Sequence, residues 1–154
     1  MAILKKNIKK NKARIAIVAA SFNDFITKRL LAACLKELQD QGLGEKQITT
    51  VWVPGSFEIP LGALKLATRK DIDAVICLGA VIRGETYHFE VIANECARGI
   101  MEVSLRSLKP VIMGVLTTDT VAQAQARAAE NGGDNKGRDA ARSALEMIAL
   151  LKRL

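Results

Sequence analysis

The chain has 154 residues, 49% of them hydrophobic, with three prolines and a net charge of +7. That length buries one sizeable core, and that composition excludes a disordered or collagen-like chain. No uninterrupted apolar run is long enough to span a bilayer, and the few aromatic residues do not interleave with the basic ones, which argues against a nucleic-acid stacking platform. The basic excess is better read as a solvated surface suited to phosphorylated metabolites.

Residues 1–12 form a basic amino-terminal arm with lysines at 5, 6, 9, 10 and 12. The arm lacks the apolar core and small-residue cleavage site of a signal peptide, so the expected location is the cytoplasm. Residues 13–154 read as a single domain. Arg14 to Ala20 is an apolar strand, the Ser21-Phe22-Asn23-Asp24 turn follows, and a helix runs from Phe25 to Gln41, stopped by Gly42 and Gly44. Ile48 to Val53 is the second strand, broken by Pro54-Gly55. The pattern then predicts a helix from Phe57 to Arg69 with Pro60 in its first turn. Ala74 to Ala80 is the third strand, Tyr87 to Leu108 the next helix and Pro110 to Leu116 the fourth strand. Thr117-Thr118-Asp119 offers capping oxygens for a helix through Ala129. A Gly-Gly-Asp-Asn break at 132–135 separates the last helix, Lys136 to Leu151.

Short strands alternating with longer helices are the signature of βαβ units. The expected fold class is α/β, a three-layer sandwich around a four-stranded parallel sheet in the flavodoxin-like order 2-1-3-4. In such folds sites form outside the carboxyl ends of the strands. The informative segments fall there: Ser21 to Asn23, Pro54 to Glu58, Val81 to His88, and Met113 to Thr118 at the end of strand four.

The segment from Gly79 to Phe89 (GAVIRGETYHF) joins a strand end, a glycine-flanked loop and His88, the only histidine. A loop that leaves a buried strand and enters a helix can aim backbone N–H groups at an anion, assisted by the helix dipole. Histidine is the residue type that takes and gives protons at neutral pH. The bland alternative is a lone surface or packing histidine. Cys34, Cys77 and Cys96 are odd in number and far apart, so neither a disulfide framework nor a metal site is implied, and catalysis is expected to be metal-free.

Four blocks together make the chain resemble the lumazine synthase family over nearly its whole length. They are Ser21-Phe22-Asn23; Val53 to Pro60 (VPGSFEIP); Gly79 to Phe89; and Gly114 to Thr120 (GVLTTDT) with Arg127 and Asn135-Lys136-Gly137. The resemblance implies condensation of 5-amino-6-(ribitylamino)uracil with 3,4-dihydroxy-2-butanone 4-phosphate to 6,7-dimethyl-8-ribityllumazine, phosphate and water, without a cofactor. On this reading Phe22 stacks on the pyrimidine beside Asn23; a core phenylalanine is the alternative. Ser56, Phe57 and Glu58 receive the ribitylaminouracil, with Glu58 accepting from the polyol or else serving as a first-turn helix charge. Ala80, Val81 and Ile82 offer only backbone groups to the uracil edge. Gly84, Glu85 and Thr86 cradle the phosphate, with Arg127 as its cation and Lys136 as a second; either is otherwise a solvated surface residue. His88 moves protons.

The chain departs from the family pattern at three places. Met113 stands where phenylalanine is common, so stacking there is expected to be weaker, and Asp139 replaces a usual glutamate. The segment between Arg127 and Lys136 is one residue longer, which favours a free pentamer over a shell of twelve pentamers. The resemblance further implies active sites shared between neighbouring subunits and admits riboflavin synthase as a partner. The arm either covers a neighbour's open sheet edge or is a disordered tail. A catalytically silent riboflavin-binding protein on the same scaffold is the competing reading, and so is a shell whose value is encapsulation.

Overall fold

A computed structural model describes residues 11–154, so the expected arm lies outside the described residues apart from Asn11 and Lys12. The elements are β1 (Ile15–Ala20), α1 (Asp24–Asp40), β2 (Ile48–Val53), α2 (Ile59–Ala67), β3 (Ala74–Ile82), α3 (His88–Ser107), β4 (Val111–Thr118), α4 (Val121–Arg127) and α5 (Lys136–Leu151). All strand pairs are parallel and the order is β2-β1-β3-β4, as expected.

The side chains of β1 and β3 alternate between two cores. Ile15, Ile17, Ile76 and Leu78 pack against α1, α4 and α5, whereas Ala16, Val18, Val75 and Cys77 pack against α2 and α3. A strand covered on both faces reads as an unbroken apolar run, which is why the sequence displays these two strands so clearly. Among the described residues no helix is long and apolar enough to cross a membrane.

The structure corrects five boundaries. The helix expected from Phe57 enters through a 3-10 turn, Ser56–Glu58, and α2 begins at Ile59, because Pro60 has no N–H to donate and fits only a first turn. β3 and β4 run two residues further than expected, since Val81 and Ile82 pair with Thr117 and Thr118. Those threonines are therefore strand residues, and the cap of α4 is Thr120, whose hydroxyl accepts from Gln123 N at 3.1 Å. α4 stops at Arg127, where Ala128 leaves the helix to bridge Asn135.

Asn135 fixes the start of α5. Its side-chain oxygen accepts from Gly137 N at 2.8 Å, and its amide donates to Ala129 O at 3.0 Å. Gly137 then lets α5 lie against α1 at a separation no other residue allows, because a Cβ there would sit 2.0 Å from Leu30 O. All three cysteines are buried and free. Burial pushes the thiols up, Cys34 to about 12 and Cys96 to about 11.

One ion pair ties α1 to α5 further along. Arg142 forks onto the buried Glu37, Nε to Oε1 at 3.0 Å and Nη2 to Oε2 at 3.3 Å, while Gln41 donates to the same carboxylate. The Arg142 hydrogen bond, seconded by Gln41, holds the Glu37 carboxyl below the usual glutamate range. A lowered native pKa contributes stability above the unfolded value, about 4.3 for glutamate, and that contribution disappears as pH falls through the native value. Arg142→Met should cost about 1–3 kcal/mol at pH 7, and the gap to the parent should narrow as pH falls from about 5 to 3. Urea unfolding across that range checks this; a gap independent of pH would contradict it.

Candidate active site

The carboxyl edge of the sheet opens on the α2 and α3 side into a cavity of about 720 Å³. Three of the four expected segments meet there. Phe22 and Asn23 arrive from the end of β1, Ser56, Phe57 and Glu58 from the turn before α2, and Ala80, Val81, Ile82, Gly84, Thr86 and His88 from the end of β3 and the start of α3. Phe22 is 72% exposed and Phe57 55% exposed, so neither is a core phenylalanine in this chain; each stands as a free aromatic wall.

The loop after β1 is held open by Asn23. Its backbone is left-handed, φ 59°, a conformation asparagine tolerates better than most residues. Its amide donates to Ala80 O at 2.8 Å, and Phe22 N donates to Pro54 O at 3.0 Å. Those bonds fasten the backbone that carries Phe22 to the residues following β2 and to the end of β3.

β1 ends at Ala20 while β3 continues to Ile82, paired there only with β4. N–H and C=O of one strand residue point the same way and alternate along the strand. Ala80 O faces the gap beyond β1, so the backbone groups of Ile82 face it too, open to a flat hydrogen-bonding edge. Beyond them, the N–H groups of residues 84–87 find no acceptor among the described residues and precede the 20-residue helix α3. Free N–H groups at the positive end of a helix form a site for an anion. His88 is the first residue of that helix, exposed at the cavity wall.

Sequence reasoning missed the apolar floor. Phe89, Val91 and Ile92 line the cavity from the first turn of α3, and only the helical period from His88 onward signals them.

Glu85 belongs to the loop but does not line the cavity. Met113, Arg127 and Lys136 lie apart from it. Met113 sits in the middle of β4, in register with Cys77, not at its carboxyl end, and lines a separate depression with Lys136 and Asp139. Arg127 ends α4, which packs with α5 on the opposite face of the sheet from α2 and α3.

The two cations differ electrostatically. Lys136 is held by Asp134 at 3.2 Å and Asp139 at 3.3 Å, and these two carboxylates keep its ammonium above the usual lysine range. Arg127 donates to Gln123 O at 3.0 Å and has no carboxylate partner among the described residues. Within the same residues no group of three or more His, Cys, Asp or Glu side chains could hold a metal ion.

A family model described as 6,7-dimethyl-8-ribityllumazine synthase matches residues 12–152. A protein of Protochlamydia amoebophila (strain UWE25), named 6,7-dimethyl-8-ribityllumazine synthase, is 50% identical over 144 residues, which cover 94% of this chain and 83% of the relative.

Proposed function

Since the chain belongs to the 6,7-dimethyl-8-ribityllumazine synthase family, we propose that the carboxyl-edge cavity holds both substrates and that a neighbouring subunit completes it. The reaction joins 5-amino-6-(ribitylamino)uracil to 3,4-dihydroxy-2-butanone 4-phosphate and belongs to riboflavin biosynthesis. The observation that carries the site reading is the meeting of an exposed aromatic wall, unpaired backbone at the end of β3 and a helix-end anion site in one cavity.

Phe22 stacks on the pyrimidine and Ile82 pairs with its edge, while Asn23 keeps the Phe22 loop at that distance from Ala80 and Val81. Ser56, Phe57 and Glu58 take the ribityl chain. Gly84, Glu85 and Thr86 receive the phosphate through backbone N–H groups and the Thr86 hydroxyl. The uracil amine attacks the ketone to form an imine with loss of one water, phosphate departs with the electrons of its C–O bond as a proton leaves the neighbouring carbon, and the ribitylamino nitrogen attacks the remaining carbonyl to close the ring with loss of a second water. His88 moves the protons of these steps. Both substrates carry reactive groups of their own, so holding them in register supplies most of the acceleration.

Arg127 is the cation for the departing phosphate, supplied by the neighbouring subunit together with Met113, with Lys136 lending a charge already shared with two aspartates. Support for a homo-oligomer is twofold: these three residues lie outside the cavity, and large apolar side chains such as Leu61, Met101 and Leu105 are more than half exposed. We read the assembly as a cytoplasmic pentamer, residues 13–154 forming the catalytic unit.

Purified protein mixed with both substrates should form the fluorescent lumazine faster than an uncatalysed control. His88→Ala should slow turnover by roughly 10- to 100-fold without abolishing it, because positioning survives the loss of the proton carrier. Turnover in folded His88→Ala no faster than the control would make the histidine indispensable and the positioning reading wrong.

A further inference from the structure

Arg83 stands between the end of β3 and the loop that receives the phosphate, and nothing above gives it a role. Its backbone N–H donates to Thr118 O at 2.8 Å. Its side chain reaches three further groups: Nε donates to Asp119 at 2.8 Å, Nη1 donates to Glu90, and the guanidinium lies 4.4 Å from the centroid of the Phe89 ring. Glu90 and Phe89 belong to the first turn of α3, and Asp119 follows β4. One planar fork thus joins both ends of the loop 84–87 to the neighbouring strand.

The carboxylate of Glu90 is committed to this contact. Its Oε2 is buried without a hydrogen-bond partner, so Arg83 supplies its compensation. Although the Glu90 side chain keeps 30% of its surface in solvent, shielding that one oxygen is unfavourable unless a cation is fixed beside it. With two carboxylates on it, Arg83 brings no net positive charge to an anion.

Resting on the phosphate-loop reading above, we propose that Arg83 is a positioning residue. It clamps the loop 84–87 and the Phe89 wall in the geometry that receives the phosphorylated substrate, without touching the phosphate. An arginine this close to an anion site invites the opposite assignment, a direct ligand, and the two differ in sign. Asp119→Asn loosens the clamp if Arg83 positions, but frees the guanidinium for phosphate if Arg83 is a ligand.

The test uses the full-length assembled protein, KM for each substrate, and inhibition by inorganic phosphate. Arg83→Gln should raise KM for the phosphorylated ketone and the inhibition constant of phosphate about 10-fold, leaving KM for the ribitylaminouracil within about twofold. Arg83→Lys should not rescue, since an ammonium cannot span both carboxylates and the ring. Asp119→Asn, at an exposed position that spares the fold, should weaken phosphate in the same direction. Unchanged or tighter phosphate binding in Asp119→Asn, or full rescue by Arg83→Lys, would overturn the proposal. Thr86→Val separates the two levels. If it weakens phosphate while Arg83→Gln does not, only the role of Arg83 fails; if neither matters, the loop is not the phosphate site.

Discussion

Gly137→Ala is expected to destabilise the folded chain by on the order of 3 kcal/mol or more, because the added methyl collides with backbone. The added Cβ would lie 2.0 Å from Leu30 O, 2.6 Å from its carbonyl carbon and 2.8 Å from its Cα. All three are backbone atoms of α1, so no rotamer change relieves the clash; α5 must move away from α1. That movement would also pull Asn135 from the N–H groups it caps and disturb the Arg142–Glu37 pair further along the same two helices. Gly44→Ala serves as the control. It has ordinary backbone angles and only Gln47 Oε1 at 3.7 Å from the added carbon, so it should stay close to the parent. Urea unfolding of the two variants decides it. A Gly137→Ala protein within about 1 kcal/mol of the parent would show that the helices part more easily than close packing implies.

Arg127→Ala is expected to lower kcat/KM by roughly 10- to 150-fold, the consequence of losing a charged hydrogen-bond donor worth about 1.5–3 kcal/mol. The loss should appear mainly with the phosphorylated ketone, leaving KM for the ribitylaminouracil nearly unchanged. Because Arg127 ends a helix on the opposite face of the sheet from the cavity walls, the same variant also tests site sharing. Unfolding Arg127→Ala and His88→Ala subunits together and refolding them as a mixture should restore about a quarter of parental activity, since that share of interfaces pairs an intact His88 with an intact Arg127. Activity no higher than the mean of the two variants would mean that each chain supplies both residues to its own site.

The legible part of this fold was set by local chemistry. β1 and β3 announce themselves because both of their faces are covered, and Pro60, Gly42 and the 132–135 break punctuate the helices where backbone chemistry requires it. The boundaries that moved did so for non-local reasons. Thr117 and Thr118 look like caps in sequence, yet they complete the β3 ladder opposite Val81 and Ile82, leaving Thr120 to cap α4.

The site divides in the same way. The family and the strand–loop–helix pattern from Gly84 to His88 are legible in residues adjacent in the chain, whereas the roles proposed for Phe22, Phe57 and Ile82 rest on the family resemblance. That Met113, Arg127 and Lys136 lie away from the cavity emerged from the folded chain: Met113 sits within β4, and α4 and α5 cover the far face of the sheet. The tertiary structure alone decided that two aspartates hold Lys136 while Arg127 has no such partner, and that Arg83 reaches across to Glu90 and Asp119. Asn135-Lys136-Gly137 shows the reason within three residues. The lysine draws attention as a charge and the asparagine caps its own helix locally, but the glycine sets the distance between two helices, a role that exists only once segments more than a hundred residues apart are brought into contact.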